Sequence, residues 1–274
     1  MSTELEPLDV LFEADGLPAF DLPEELGRLY GGSLGFAAPR LYANFVSTID
    51  GVVAIPSVSG SNRIIAAGST ADLFLMGVLR AFADVIVIGT GTLHGSPKGM
   101  WAPAGPYPPA GEALEELRRR LGRPPVPELA ILTRSGSLDL DHPVLERGAL
   151  VVTTDWGKAA LGDRLPAASA VESVGTDLDP RDAVALLRDR GNSLILTEGG
   201  PTVFGALVAA GLVDELFLTV SPLLAGRPDP DDRLQLIEDA PLLPDAGVGG
   251  RLLSVRSSES HLFLRYELTR QAQS

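Results

Sequence analysis

The stretch Ser193–Thr202, SLILTEGGPT, decides how this chain is read. Leu194 to Thr197 form a short apolar run of strand length, closed by Glu198, Gly199, Gly200 and Pro201, and a helical pattern follows at once. Paired glycines let the backbone approach a ligand that a Cβ would exclude. Pro201 suits the first helical position, where a missing N–H costs little. The next N–H groups, those of Thr202 and Val203, carry the positive end of the helix dipole and can hold a phosphate without a lysine. Taken alone, the same residues also describe a plain strand-to-helix turn, so the reading depends on the rest of the chain.

Two further strand ends have the same character. Asp84 to Gly89 reads as a fully buried strand running into Thr90, Gly91, Thr92 and Leu93, where small residues and hydroxyls suit phosphate. It is not a Rossmann fingerprint, because His94 occupies the third glycine position and Gly95 comes one residue late. Leu129 to Leu132 leads into Thr133, Arg134, Ser135 and Gly136. A guanidinium with two hydroxyls there could read the 2′-phosphate that distinguishes NADPH from NADH, or could be a charged turn. Three such ends in one chain fit a long ligand with several phosphates.

The remaining pattern is α/β. Strands are expected at Leu41 to Ser47 and Val52 to Ile55, with turn chemistry at Asp50 and Gly51, and at Leu150 to Thr154. Helices are expected near 69–82, 114–121, 181–190 and 201–210. The first carries Ser69 and Asp72 at capping-box spacing and a stripe of Leu73, Met76, Leu79 and Phe82. Glu215 to Ser221 and His261 to Leu268 read as late, antiparallel strands, giving a mixed, mostly parallel sheet. Residues 1–39 are glycine-rich and weakly periodic, with a short helix near 23–30. They read as an extension of a single domain at 40–274. The Pro/Gly-rich segment 96–111 holds Trp101 and Tyr107, which either cover a flat heterocycle or pack locally.

Composition narrows the function. A net charge of −14 with no basic cluster argues against nucleic acid and anionic membrane as partners. There are no cysteines and only three scattered histidines, so neither a thiolate nucleophile nor a metal centre is expected. The acidic start lacks the features of a secretory signal, and no apolar run reaches membrane-spanning length; a soluble, cytoplasmic protein is expected.

Three segments, Ala43–Gly51 (ANFVSTIDG), Leu79–Thr92 (LRAFADVIVIGTGT) and Leu196–Gly226 (LTEGGPTVFGALVAAGLVDELFLTVSPLLAG), carry a family resemblance. Over residues 40–268 the chain resembles the reductase domain of the riboflavin-biosynthesis deaminase/reductase family, in the dihydrofolate-reductase-like superfamily. The resemblance implies a dihydrofolate-reductase-like sheet flanked by helices, NADPH as cofactor, a small heterocyclic substrate and a homodimer. By motif position, Gly89, Thr90, Gly91, Thr92, Thr133, Arg134, Ser135, Gly199, Gly200, Pro201, Thr202 and Val203 would hold cofactor. Asn44, Asn62, Arg80 and Glu198 would face substrate. Asp72 matches the helix carboxylate that folate reductases set against an amino-heterocycle. The family's companion deaminase needs zinc-binding cysteines, so a stand-alone reductase is expected.

Hydride transfer asks for a nicotinamide held against an acceptor carbon in a water-poor pocket, not for a nucleophile. It also consumes a proton, which Asp72 or Asp50 could orient or relay; equally, Asp72 could only cap its helix and Asp50 only shape a turn. Many family members have a lysine where this chain has Asn44 and an acidic pair where it has Gly95 and Ser96. The resemblance makes reduction of 5-amino-6-(5-phosphoribosylamino)uracil the first expectation, and these departures weaken it and leave room for another heterocycle. A dihydrofolate reductase is the alternative, and a non-catalytic NADPH-binding protein the rival from another class.

Overall fold

The computed structural model describes residues 5–228, 232–244 and 247–270. The chain opens with β1 (Asp9–Glu13), α1 (Glu24–Tyr30), β2 (Arg40–Ser47), β3 (Val52–Ala54), α2 (Ser61–Ile65), α3 (Thr70–Phe82), β4 (Val85–Gly89) and α4 (Thr90–Gly95). It continues through α5 (Gly111–Arg120), β5 (Glu128–Leu132), α6 (Pro143–Arg147), β6 (Leu150–Thr153), α7 (Asp155–Leu161), β7 (Ala170–Ser173) and α8 (Pro180–Asp189). It ends with β8 (Leu194–Thr197), α9 (Pro201–Ala209), β9 (Glu215–Val220), β10 (Leu234–Gln235), β11 (Val248–Ser258) and β12 (His261–Arg270).

Ten strands form one sheet in the order β1-β11-β12-β9-β2-β8-β4-β5-β6-β7. From β9 to β7 every pairing is parallel, and from β1 to β9 every pairing is antiparallel. This is the mixed, mostly parallel sheet flanked by helices that the pattern predicts. The central strands are apolar throughout because both faces are covered. Along β4, Ile86 and Ile88 join the core that holds α3 and α5, whereas Val85 and Val87 join the core under α8 and α9. β8 is inserted between β2 and β4, so the carboxyl ends of three strands meet where the strand order switches, the usual place for a ligand in an open α/β sheet.

Helix α3 is buried on more of its surface than a single stripe would give. Phe74, Leu75, Val78, Leu79 and Phe82 are in the core, while Leu73 and Met76 are only partly buried. Its far end is closed by Arg118 of α5, a buried guanidinium whose Nη1 donates to Ala81 O (3.1 Å) and Ala83 O (2.8 Å), carbonyls that a helix end leaves unpaired. Residues 5–39 are integral to this packing. β1 pairs with β11, and Leu26, Leu29, Tyr30 and Leu34 share the core of Phe74 and Phe82. Sequence periodicity hides this because single leucines, rather than a repeating face, are buried. β3 also departs from a simple hairpin: Thr48 N–H closes the turn onto Val52 O at 3.0 Å, but β3 then pairs with β10.

Trp101 and Tyr107 are buried at 4% and 8% exposure. Tyr107 meets Phe74 edge-on and Trp101 lies beside His142, so both aromatics serve the core and not a ligand.

Candidate active site

Glu198, Gly199 and Gly200 leave the carboxyl end of β8 between β2 and β4. Gly200 is the N-cap of α9 and supplies no side-chain acceptor, and Pro201 stands at the first turn without an N–H. The first intrahelical bond is Phe204 N–H to Gly200 O at 3.0 Å, which leaves Thr202 and Val203 N–H at the head of the helix. A Cβ on Gly199 would lie 2.7 Å from Val203 Cγ1, and one on Gly89 would lie 2.9 Å from Val203 Cγ2. Side chains at either glycine would push α9 off the β4 and β8 turns. A Cβ on Gly200 would meet only Thr92 Oγ1, at 3.7 Å, so open space begins there. Thr90 to Leu93, read from the sequence as a small, hydroxyl-bearing strand end, start the short helix α4, with Gly89 as its extended N-cap. Two helix starts thus flank the two glycine turns, a cradle of the kind a dinucleotide phosphate fits.

Thr133 to Ser135 follow β5 on the next strand end. Thr133 is buried, whereas the Arg134 side chain is 72% exposed and paired with Asp177 from the segment after β7. Ser135 Oγ accepts from Ser137 N–H at 3.2 Å. The acidic partner of Arg134 lies 43 residues away and has no local sequence signature.

On the α3 side of the same edge, Arg80 is neither solvated nor free. Its Nε and Nη2 donate to the two carboxylate oxygens of Glu198 at 2.8 and 2.6 Å, a bidentate pair with both side chains nearly buried. Asn44 is half-buried on β2, and Asn62 is exposed on α2.

Asp72 and Asp50 differ sharply. Ser69 accepts the Asp72 N–H at 3.2 Å, but the return bond of a capping box is absent, since Ser69 N–H donates to Ala66 O at 2.9 Å. The Asp72 carboxyl is therefore not used in a capping box. It is buried, and burial raises its pKa to about 6. The neighbouring Thr219 hydroxyl and His261 pull the value down less, and Glu198 adds to the rise. Thr219 Oγ1 and Ser221 Oγ are buried without a closed hydrogen bond among the described residues. His261 Nε2 lies 3.0 Å from Ala66 O, tying the β11–β12 hairpin to the approach to α3.

Asp50 accepts from Thr48 Oγ1 (2.6 Å), Ala225 N–H (3.0 Å) and Gly226 N–H (2.8 Å). Those donors, Thr48 first, hold its pKa down at about 2. It has no proton to give near neutrality and acts as a clamp between the β2–β3 turn and the segment after β9.

Among the described residues no group of three or more His, Asp or Glu is arranged to hold a metal, and no helix is long and apolar enough to cross a membrane. A cavity of about 250 Å³, lined by residues including Glu13, Asp15, Ser33 and Arg265, contains none of these site residues.

The family model described as the RibD C-terminal domain matches residues 39–238. The chain belongs to the RibD C-terminal domain family. Over 195 residues, 70% of this chain and 84% of the relative, it is 22% identical to the 2,5-diamino-6-ribosylamino-4(3H)-pyrimidinone 5′-phosphate reductase of Archaeoglobus fulgidus. A pyrimidine reductase-like protein of Corynebacterium diphtheriae has the same fold, with a TM-score of 0.68 at 24% identity over 85% of this chain and 93% of that one. RibD of Acinetobacter baumannii gives 0.63 at 20% identity, covering 89% of this chain and 60% of that longer one.

Proposed function

We propose that this member of the family is an NADPH-dependent reductase acting on a ribosylaminopyrimidine phosphate of riboflavin biosynthesis, with 5-amino-6-(5-phosphoribosylamino)uracil as the first substrate to try. One observation carries the reading: the glycine turn heading α9 follows Glu198, and Glu198 also acts on a buried carboxyl, Asp72, that holds its proton up to about pH 6. Bound NADPH would supply the hydride. Gly200 would let its phosphates reach backbone N–H groups of α9, which Gly89 and Gly199 allow to pack close to the strand ends, and Arg134 with Ser135 would meet the 2′-phosphate. Asp72 would hold a proton or orient a ring amino group, with Thr219 and Ser221 offering hydroxyls. The Arg80–Glu198 pair and Asn44 would line the ring's surroundings, and Asn62 their rim.

The buried Asp72 beside Thr219 also favours a second reading, dihydrofolate as acceptor, because a helix carboxyl can pair with a pterin's amino edge. NADPH oxidation followed at the nicotinamide absorbance, with each ring compound in turn, separates the two. Binding of NADPH without turnover of either would leave a non-catalytic binder.

We further propose a cytoplasmic homodimer. On the antiparallel half of the sheet, Phe12, Val255 and Leu264 form one cross-strand row; Phe12 is 45% exposed, and nearby Leu262 is 40% exposed. An uncovered apolar face of this kind suits a second copy. Sedimentation of wild type and Phe12→Lys tests it: a dimer that Phe12→Lys makes monomeric supports the face, and a monomeric wild type removes it.

A further inference from the structure

His261 is buried at 5% exposure and has no part in the reaction proposed above. It opens β12, beyond the 39–238 segment that carries the family match. Register sets its place. Phe263 pairs with Thr219 across the β12–β9 ladder, so their side chains lie on one face of the sheet, and His261, two residues before Phe263, shares it. That face is the α3 side, because Phe263 and Phe217 belong to the core of Phe74. One step beyond the pairing of Leu262 with Val220, Ser221 comes level with His261. Thr219, Ser221 and the imidazole thus share the face on which Asp72 is buried.

Three hydrogen bonds run from His261 to Asp72. A carbonyl oxygen only accepts, so the Nε2 atom 3.0 Å from Ala66 O carries a proton and donates it. The same carbonyl accepts from Ser69 N–H at 2.9 Å, and Ser69 Oγ accepts from Asp72 N–H at 3.2 Å. Ala66 closes α2 and Ser69 caps α3, so the hairpin imidazole holds the turn from which Asp72 departs. With Nε2 committed, protons come and go at Nδ1, and the anchor on Ala66 survives in both forms. Placement is thus independent of pH, whereas charge is not.

We propose that His261 is a positioning residue for Asp72, fixing the first turn of α3 through Ala66 and setting the field at the carboxyl by its own charge. The proposal deepens the reading of Asp72 as the proton-holding group and rests on it. A charged His261 favours the ionised carboxyl, against burial and Glu198, which disfavour it. Among the surrounding charges, Arg80 is already engaged by Glu198, and Arg63 of α2 and Glu259 of the hairpin turn are exposed.

Wild type, His261→Gln and His261→Leu separate the two effects, because Gln can still donate to Ala66 O without carrying charge and Leu does neither. Carboxyl-carbon NMR, with Asp72 assigned from Asp72→Asn, reads the charge effect without turnover. The Asp72 midpoint should rise by roughly half a pH unit in both variants, and by reciprocity the His261 ring midpoint should fall by a similar amount in Asp72→Asn. NADPH oxidation with the ribosylaminopyrimidine phosphate reads placement. His261→Leu should lose roughly tenfold in kcat/KM, and His261→Gln should recover to within about threefold of wild type. Unmoved midpoints, or equal kcat/KM in all three proteins, overturn the proposal; if His261→Leu does not fold, the midpoint in His261→Gln decides. Coupled midpoints in a wild type that turns over no ring compound would keep His261 as the group that governs Asp72 and remove the reductase reading instead.

Discussion

Two carboxylates stand at the same edge of the sheet and have opposite fates. Asp72 of α3 is buried beside Thr219 of β9 and holds its proton up to about pH 6. Asp50, in the turn after β2, faces three donors and stays ionised down to about pH 2. In sequence they are equivalent candidates. The difference lies in desolvation against hydrogen bonding, and it separates a proton-holding group from a structural anion.

The sharpest test of that contrast is Asp72→Asn. If Asp72 serves the reaction, kcat/KM should fall by about 100-fold or more, and the same variant should be more stable at neutral pH. The sign follows from the raised value. The folded carboxyl binds its proton more tightly than the unfolded one, so the contribution of Asp72 to stability is largest below about pH 4 and declines as pH rises toward 6. Urea melts between these limits should show that slope in wild type and a flat line in Asp72→Asn. A variant with full activity would break the contrast.

Next in size is Arg80→Ala. It would leave Glu198 nearly buried and unpaired, for a loss of about 2–4 kcal/mol in denaturant melts. The uncompensated charge should also push Asp72 further up, moving the break in the pH–rate profile to higher pH. An unmoved break would show that Glu198 and Asp72 do not communicate.

A third carboxylate extends the comparison. Asp177 is exposed and engages Arg134, so Asp177→Asn should free the guanidinium and tighten NADPH relative to NADH by a few-fold. Arg134→Ala should weaken NADPH by roughly tenfold and NADH far less. Equal changes for both cofactors, read by calorimetry, would remove Arg134 from the 2′-phosphate.

Asp50→Asn should give the smallest catalytic effect, within about threefold, because it removes a clamp and no proton. Asp50 stabilises the fold above its ordinary value near pH 4, and this stability is lost as pH falls toward 2. Acid melts of the variant should lack that component. A large loss of turnover at neutral pH would reopen Asp50 as a participant.

The parallel strands and the glycine turns were legible in the sequence, because apolar runs followed by glycine or threonine are local signals. So was the start of α3 at Ser69. What escaped was non-local or irregular. Glu198 meets Arg80 across 118 residues, and Arg134 meets Asp177 across 43. Trp101 and Tyr107 looked available only because their loop is rich in proline and glycine. Thr219 carried no signal beyond its place in a strand, and its value comes from facing Asp72.

The family's shared segment starts at Pro39, yet Phe20 and Phe36 already lie edge-on to Phe82 of α3 by then. A trimmed version beginning there would strip away Phe20 and Phe36 and bare Phe82 on the rod that carries Asp72. Fusion or transplantation of this catalytic unit therefore has to bring its first forty residues along, however dispensable their composition makes them look.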